Sequence, residues 1–355
     1  MTDTARALTA WLRGQIEHVD EVRVEGLASV DVGHSAEMLM LTVVTTAGRT
    51  ESAQDVVVRL RPPEPGLLEP YDVRHQFAVL QTLNGTRVPA PRALWIEESG
   101  TVLGRPFFVM ERAPGEVYEW QLPPELQDRV TALSEHVMDA IAEIHAVDVA
   151  ALGLAPRGPG DHVSRELDHW EGEVVRVQRG PLPALERLIT ELRAQQPAST
   201  AVALVHGDAK PGNFSFVGEE VSAVFDWELS DVGDPLTDLG WAEVAWMTTP
   251  AFAGLPADHF DHLLVRWEQR TGLEVHHREW YRAFGAYKMA VIMLIGSMLV
   301  DAGHSDDYRF VEMGMGVRMI TRMGLASLGV IEKIDSGPVL PREERIAALK
   351  PIERA

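Results

Sequence analysis

The sequence predicts an α+β protein whose β-rich N-terminal part precedes a mainly helical C-terminal part. Two observations predict it. Segments rich in β-branched residues with period-two alternation crowd into residues 1–111, whereas apolar stripes of helical period dominate 112–355. The change falls on a short Pro/Gly link, Glu111-Arg112-Ala113-Pro114-Gly115. At 355 residues with 46% hydrophobic side chains, the chain is long enough for two cores, so residues 1–111 and 112–355 are expected to form two lobes.

The elements follow in order. Leu8, Leu12 and Ile16 share one helical face with Trp11 and Val19 beside it, predicting a helix over 4–19. Strands are expected at 22–31, 38–45, 55–61, 93–97 and 103–110, interrupted by a helix at 72–83. After the link, Val130, Leu133, Val137, Ile141 and Ile144 trace one buried helical stripe. Further helices are predicted at 162–177, 182–195, 234–247, 256–271, 277–301 and 306–327. A β-like island at 202–205, 214–217 and 221–225 breaks this helical half. The methionines at 313, 315, 319 and 323 read as core filling.

Composition excludes several classes of chemistry. With 32 basic against 53 acidic residues, the net charge of −21 disfavours nucleic acid and anionic membrane as partners. The absence of cysteine rules out disulfides and thiolate catalysis. The longest apolar run, 289–300, falls short of the roughly 20 residues of a membrane span. The N-terminal stretch lacks the pattern of a signal peptide, so a cytoplasmic protein is expected. Neither a G-x-S-x-G elbow nor a G-x-x-x-x-G-K-[ST] loop occurs, which argues against an α/β-hydrolase and a P-loop kinase.

The most informative stretch is Val205-His206-Gly207-Asp208-Ala209-Lys210-Pro211-Gly212-Asn213, a polar loop between two strands. Asp226 follows at the end of the next strand. Asn213 and Asp226 supply hard oxygens suited to Mg²⁺, which leaves Asp208 to accept a proton from an attacking hydroxyl. The spacing H-x-D-x-x-x-x-N is that of the kinase catalytic loop.

On these residues the sequence resembles the aminoglycoside phosphotransferase family. The segments that carry the resemblance are LVHGDAKPGNFSF (204–216), VFDWELSDVGDPLTDLGW (224–241), PFFVMERAPGE (106–116) and RVPAPRALW (87–95). IHAVD (144–148) and GHSAEMLMLTV (33–43) add to it. RELDHW (165–170) and VVVRLRPP (56–63) are similar to the kinase-like domain of acyl-CoA dehydrogenase fusion proteins. The resemblance implies a bilobal protein-kinase-like fold, with the catalytic loop in 204–228 and substrate-side helices in 256–327. It implies Asp208 as catalytic base, Lys210 beside it toward the γ-phosphate, Asn213 and Asp226 as magnesium ligands, and His206 as a brace. It further implies nucleotide contacts from Gly33, His34 and Ser35 over the phosphates, Arg59 toward the α/β-phosphates, and Met110, Glu111 and Ala113 around adenine. Trp280, Tyr287, Lys288, Asp301 and Tyr308 are candidates to line the substrate site.

Two positions depart from the family pattern. Gln76 stands where an ion-pairing helix glutamate is usual, and Ala36 replaces an asparagine after the glycine turn. Asp234 and Asp238 are expected in structural roles, Asp234 as a helix cap and an acid nearby as a support of the catalytic loop. The expected activity is ATP- and Mg²⁺-dependent phosphoryl transfer to a hydroxyl of a small molecule, aminoglycoside-like or hydroxyacyl-type. The alternatives are a nucleotide-binding pseudokinase and an oxygen-ligated metal hydrolase using His206, Asp208 and Asp226.

Overall fold

A computed structural model describes residues 3–30, 37–158, 160–178, 180–252, 255–256, 258–330 and 343–344. The chain divides into two compact units, Met1–Glu116 with Ser215–Glu228, and Val117–Phe214 with Leu229–Ala355.

The first unit is built on an antiparallel sheet in the order β1-β2-β3-β5-β4, namely β1 (Glu21–Val30), β2 (Glu37–Ala47), β3 (Thr50–Leu60), β4 (Ala93–Glu97) and β5 (Phe107–Glu111). One face carries the core. Val56, Val58 and Leu60 of β3 join Phe107 and Val109 of β5 and meet Leu8 and Leu12 of α1 (Asp3–Leu12). Trp11 sets its ring edge-on to Phe107 at 4.9 Å. Strand alternation sends Val57 and Arg59 to the opposite face, and their register partners Met110 and Phe108 go with them. There α2 (Val73–Leu83) packs, bringing Phe77 to Phe108. Asp72 caps α2 by accepting from the N–H groups of Arg74 and His75.

The hairpin of β8 (Phe214–Val217) and β9 (Glu220–Val224) pairs with the short β6 (Glu116–Val117). Ser222 Oγ donates to Pro114 O at 2.6 Å, and Val224 N–H donates to Pro89 O at 2.7 Å. Gly115 has a φ of +101°, and a Cβ there would run into the backbone of Phe216.

The second unit is helical: α3 (Val130–His145), α4 (His162–Val177), α5 (Pro183–Ala194), α6 (Leu236–Thr248), α7 (His259–Thr271), α8 (Arg278–Asp301) and α9 (Tyr308–Ser327), with the two-stranded pair β7 (Ala203–Val205) and β10 (Asp231–Gly233). α8 is the axis, touching α4, α5, α6 and α9. Its length and apolarity would suffice to cross a membrane, yet most of that stretch is buried within the unit, as befits a core helix.

Three expectations give way. The first helix stops at Leu12 rather than 19, because Gly14 and Gln15 turn back onto Trp11 O and Leu12 O; Ile16 and Val19 still pack on the core without helical backbone. The strand expected from 103 starts at Phe107, after Gly104 (φ +80°) and Pro106. Met315 and Met319 are not core residues: with Val311 they form an exposed line on α9.

α6 and α8 approach through glycines. A Cβ on Gly285 would stand 2.7 Å from Gly240 O, and one on Gly240 would strike the backbone of Tyr281. Gly285→Ala should therefore cost about 1–3 kcal/mol, read as a lower urea midpoint with unchanged slope. Gly172, exposed in α4 with open space around its Cα, should behave oppositely, Gly172→Ala gaining up to about 1 kcal/mol.

Candidate active site

In the second unit, β7 pairs with β10 through Val205↔Asp231, Leu204↔Val232 and Ala203↔Gly233, which fixes the start of the polar loop. Gly207 then takes φ +79°, where a Cβ would collide with the carbonyl of Leu229. A tight turn follows as Lys210 N–H donates to Asp208 O and Asn213 N–H donates to Lys210 O. The result gathers Asp208, Lys210 and Asn213. Asn213 Nδ2 donates to both Asp208 O and Asp208 Oδ2 at 2.8 Å, and Lys210 Nζ stands 3.2 Å from the same Oδ2. Asp208 Oδ1 is buried and meets no hydrogen-bond donor among the described residues. One carboxylate oxygen is thus anchored twice and the other is held ready to accept.

The loop backbone hangs on a buried relay. Asp238 accepts the N–H of His206 at 2.7 Å and that of Gly207 at 2.8 Å. His145 Nε2 lies 3.1 Å from Asp238, while its Nδ1 accepts from Trp267 Nε1 at 2.9 Å, so the ring is the neutral Nε2–H tautomer. His206 Nδ1 accepts the Asp208 N–H at 3.1 Å, which is the bracing role expected of it. Lys288 Nζ donates to Gly207 O at 2.6 Å and lies 5.3 Å from the ring centres of Trp170 and Trp241. Burial works to raise the nearby Glu166 carboxyl, yet Lys288 and neighbouring histidines hold it below the usual carboxylate value. Lys288 is therefore a support of the loop. Trp280, Tyr287 and Asp301 are likewise buried, and the Trp280 indole donates to Leu192 O; the Tyr308 side chain lies outside the described residues. Asp234 accepts from Leu236 N–H at 3.0 Å and from the Tyr281 hydroxyl at 2.7 Å, a helix-start and packing role.

In the first unit, Arg59 is 4% exposed and each of its guanidinium nitrogens has a partner. Nη1 pairs with Asp226, Nη2 donates to Glu228 Oε2 at 3.2 Å, and Nε donates to the Tyr71 hydroxyl at 2.7 Å. Asp226 sits at φ +61°, a sparsely populated conformation that aspartate tolerates better than most residues. Met110 shares the Arg59 face of the sheet. The Glu111 side chain takes Gln54 Nε2 at 3.0 Å, while Arg112 N–H is spent on Asp55 O. Gly33, His34 and Ser35 lie outside the described residues.

The expected magnesium ligands fit the ion by donor chemistry. Asn213 has committed its Nδ2 to Asp208, which leaves Oδ1 as an acceptor, and Asp226 offers a carboxylate. These hard oxygens are of the kind that suits Mg²⁺. Among the described residues no cluster of three or more His, Asp or Glu side chains is placed to hold a metal by itself.

Burial works to raise the Asp238 carboxyl, but the hydrogen bonds it accepts from His145 and from the His206 N–H hold it below its ordinary value. A depressed folded pKa gives stability that is present above the unfolded value of about 3.9 and is lost as pH falls through the folded one. Urea titrations from pH 7 to pH 3 should show Asp238→Asn about 1–3 kcal/mol less stable at pH 7. The variant should also have a shallower acid limb than the wild type; parallel limbs would count against the assignment.

Residues 43–278 match the family described as the phosphotransferase enzyme family. Acyl-CoA dehydrogenase family member 10 of Mus musculus is 32% identical over 203 residues, covering 56% of this chain and 19% of that protein. Member 11 of Rattus norvegicus is 27% identical over 261 residues, covering 68% of this chain and 33% of that protein. The chain therefore spans a fifth to a third of these relatives. A crystal structure of a candidate aminoglycoside phosphotransferase from Ralstonia eutropha JMP134 superposes with a TM-score of 0.74 at 27% identity, covering 91% of this chain and 98% of that one. Aminoglycoside phosphotransferase APH(4)-Ia in complex with ADP and hygromycin B superposes at 0.57 with 16% identity, covering 94% of this chain and all of that one, a likeness of fold alone. The β-rich N-terminal part and helical C-terminal part are thus those of the aminoglycoside phosphotransferase fold, and with more than half of its length matched the chain belongs to the phosphotransferase enzyme family.

Proposed function

We propose that this protein transfers the γ-phosphoryl group of ATP, with Mg²⁺, to a hydroxyl group of a small molecule. The observation that carries the reading is the Asp208 carboxylate. One oxygen is tied to Asn213 and Lys210 while the other is buried and unsatisfied, on a loop whose backbone is fixed by Asp238 and Lys288. A phosphoryl transfer with a loose transition state asks the protein mainly for positioning and charge. Asp208 Oδ1 orients the acceptor hydroxyl and takes its proton. Lys210 stands 3.2 Å from the carboxylate and offers a cation to the transferring phosphate. Asn213 and Asp226 would hold Mg²⁺, which when bound neutralises charge on the β- and γ-phosphate oxygens. Arg59 is assigned to the α/β-phosphates, Gly33 and Ser35 to their cover, and Met110 with the backbone of Glu111 and Ala113 to adenine.

For the acceptor, kinship at 27–32% identity with acyl-CoA dehydrogenase family members favours a hydroxyacyl-type metabolite. The hygromycin B bound to a neighbour of the same fold keeps an aminoglycoside-like alcohol on the panel. A pseudokinase is the second reading, favoured by the neutral Gln76 where an acid is usual.

The test is ADP release from Mg-ATP across hydroxyacyl-CoA compounds, aminoglycosides and small amino alcohols. One class should stimulate release, and EDTA should abolish it. Asp208→Asn should lower turnover about 10²–10⁴-fold, with the Kd for Mg-ATP nearly unchanged. Full turnover in that variant, or no ATP binding by the wild type, would sink the reading.

A further inference from the structure

We infer that Glu228 is the permanent counter-ion of Arg59, supplying from the segment after β9 the negative charge that Gln76 on α2 does not carry. Its consequence for nucleotide binding rests on the phosphotransferase reading; the ion pair itself does not.

A guanidinium removed from water needs anionic partners, because an unpaired buried charge costs several kcal/mol. Among the described residues Arg59, at 4% exposure, has two, Asp226 and Glu228, and Glu228 is itself only 8% exposed. The third contact is neutral. Burial pushes the Tyr71 phenol up, so it stays protonated, accepting from Arg59 Nε and hydrogen-bonding Gln76. Gln76 is 1% exposed, and its Nε2 meets no acceptor among the described residues. Among the described residues, then, Arg59 stands with two carboxylates and a phenol, and Gln76 adds an amide beside the phenol. A glutamate at 76 would place a third carboxylate about a single buried guanidinium, and like charges in such a site cannot all stay ionised. Gln76 is then the complement of Glu228 rather than a defect.

The two carboxylates differ in what they are free to do. Asp226 is the residue assigned to Mg²⁺, so its partnership with Arg59 is exchangeable. Glu228 has no such assignment and keeps Arg59 neutralised and aimed when Asp226 is otherwise engaged. Because the counter-ion lies two residues from Asp226 and not on α2, displacement of α2 leaves the Arg59 charge balance intact. Glu228 acts on nucleotide through Arg59 and is a positioning residue.

The experiment is a double-mutant cycle on the full chain with Glu228→Gln, Gln76→Glu and both together. Two readouts are taken: Tm of the nucleotide-free protein, and Kd for Mg-ATP beside Kd for adenosine. Each single variant should lower Tm, one by removing a carboxylate and the other by adding a third. The double variant, with its carboxylate moved to α2, should melt above both. Glu228→Gln should weaken Mg-ATP binding at least tenfold while adenosine binding holds, and the double variant should return to within about threefold of wild type. If Glu228→Gln alone does not fold, recovery of folding by Gln76→Glu is the same rescue. Additive losses in Tm, or no recovery in the double variant, overturn the inference even where wild type binds Mg-ATP normally. Recovery of Tm in a protein that binds no Mg-ATP would sustain the ion pair and sink the phosphotransferase reading.

Discussion

A carboxylate that accepts two successive backbone N–H groups leaves a chain little freedom, and the second unit is organised around one. Asp238, 1% exposed, takes the N–H groups of His206 and Gly207, the two residues before Asp208. An unpaired buried N–H costs about 1–3 kcal/mol, so the loop cannot turn away from Asp238 without a comparable loss. The carboxylate must stay ionised to do this, and His145, aligned by the Trp267 indole, stabilises that form with a neutral N–H donor. Lys288 fixes the next peptide, Gly207–Asp208, by binding Gly207 O. Asn213 and Lys210 hold one Asp208 oxygen directly, while the backbone that carries it is set by Asp238, His145 and Lys288, which do not touch its carboxylate.

The protein is strongly acidic, with a net charge of −21, yet its informative charges are two buried cations. Lys288 is surrounded by Trp170, Trp241, Glu166 and a carbonyl, and Arg59 by two carboxylates and a phenol. Each is matched locally. Surface acidity tells little about either, because pairs exposed to water are worth only about 0–1 kcal/mol, whereas a buried cation requires its partners. The surface charge bears on solubility; the interior charge bears on chemistry.

Much of this is legible in the chain. The helices from 162 onward lie within a few residues of their expected bounds, since apolar stripes at helical period follow directly from a helix packing one face on a core. Strand alternation alone places Val57 and Arg59 on one face, and the register with Met110 and Phe108 agrees. The spacing of His206, Asp208 and Asn213 announces a loop, and the loop exists with those side chains gathered. What is not legible depends on long-range partners. Nothing local marks Lys288, in an apolar run, as a donor to Gly207, and its sequence context suggests a substrate-lining residue instead. The 215–228 hairpin looks like part of the helical half by its place in the sequence. It belongs with the first unit because Ser222 and Val224 bond to Pro114 and Pro89, over a hundred residues earlier.

Gln76 shows where pattern reading and physical reading part. A pattern assigns the counter-ion to a position, so a neutral residue there registers as a loss. The physical requirement is only that a buried guanidinium have an anion within reach, and it is indifferent to which element provides it. Glu228 stands in plain view in VFDWELSDVGDPLTDLGW, but its meaning depends on knowing that β3 directs Arg59 toward the end of β9. Once the charges about Arg59 are counted, the neutral amide at 76 and the acid at 228 are a single arrangement, and a substitution at either must be judged by what it does to the other.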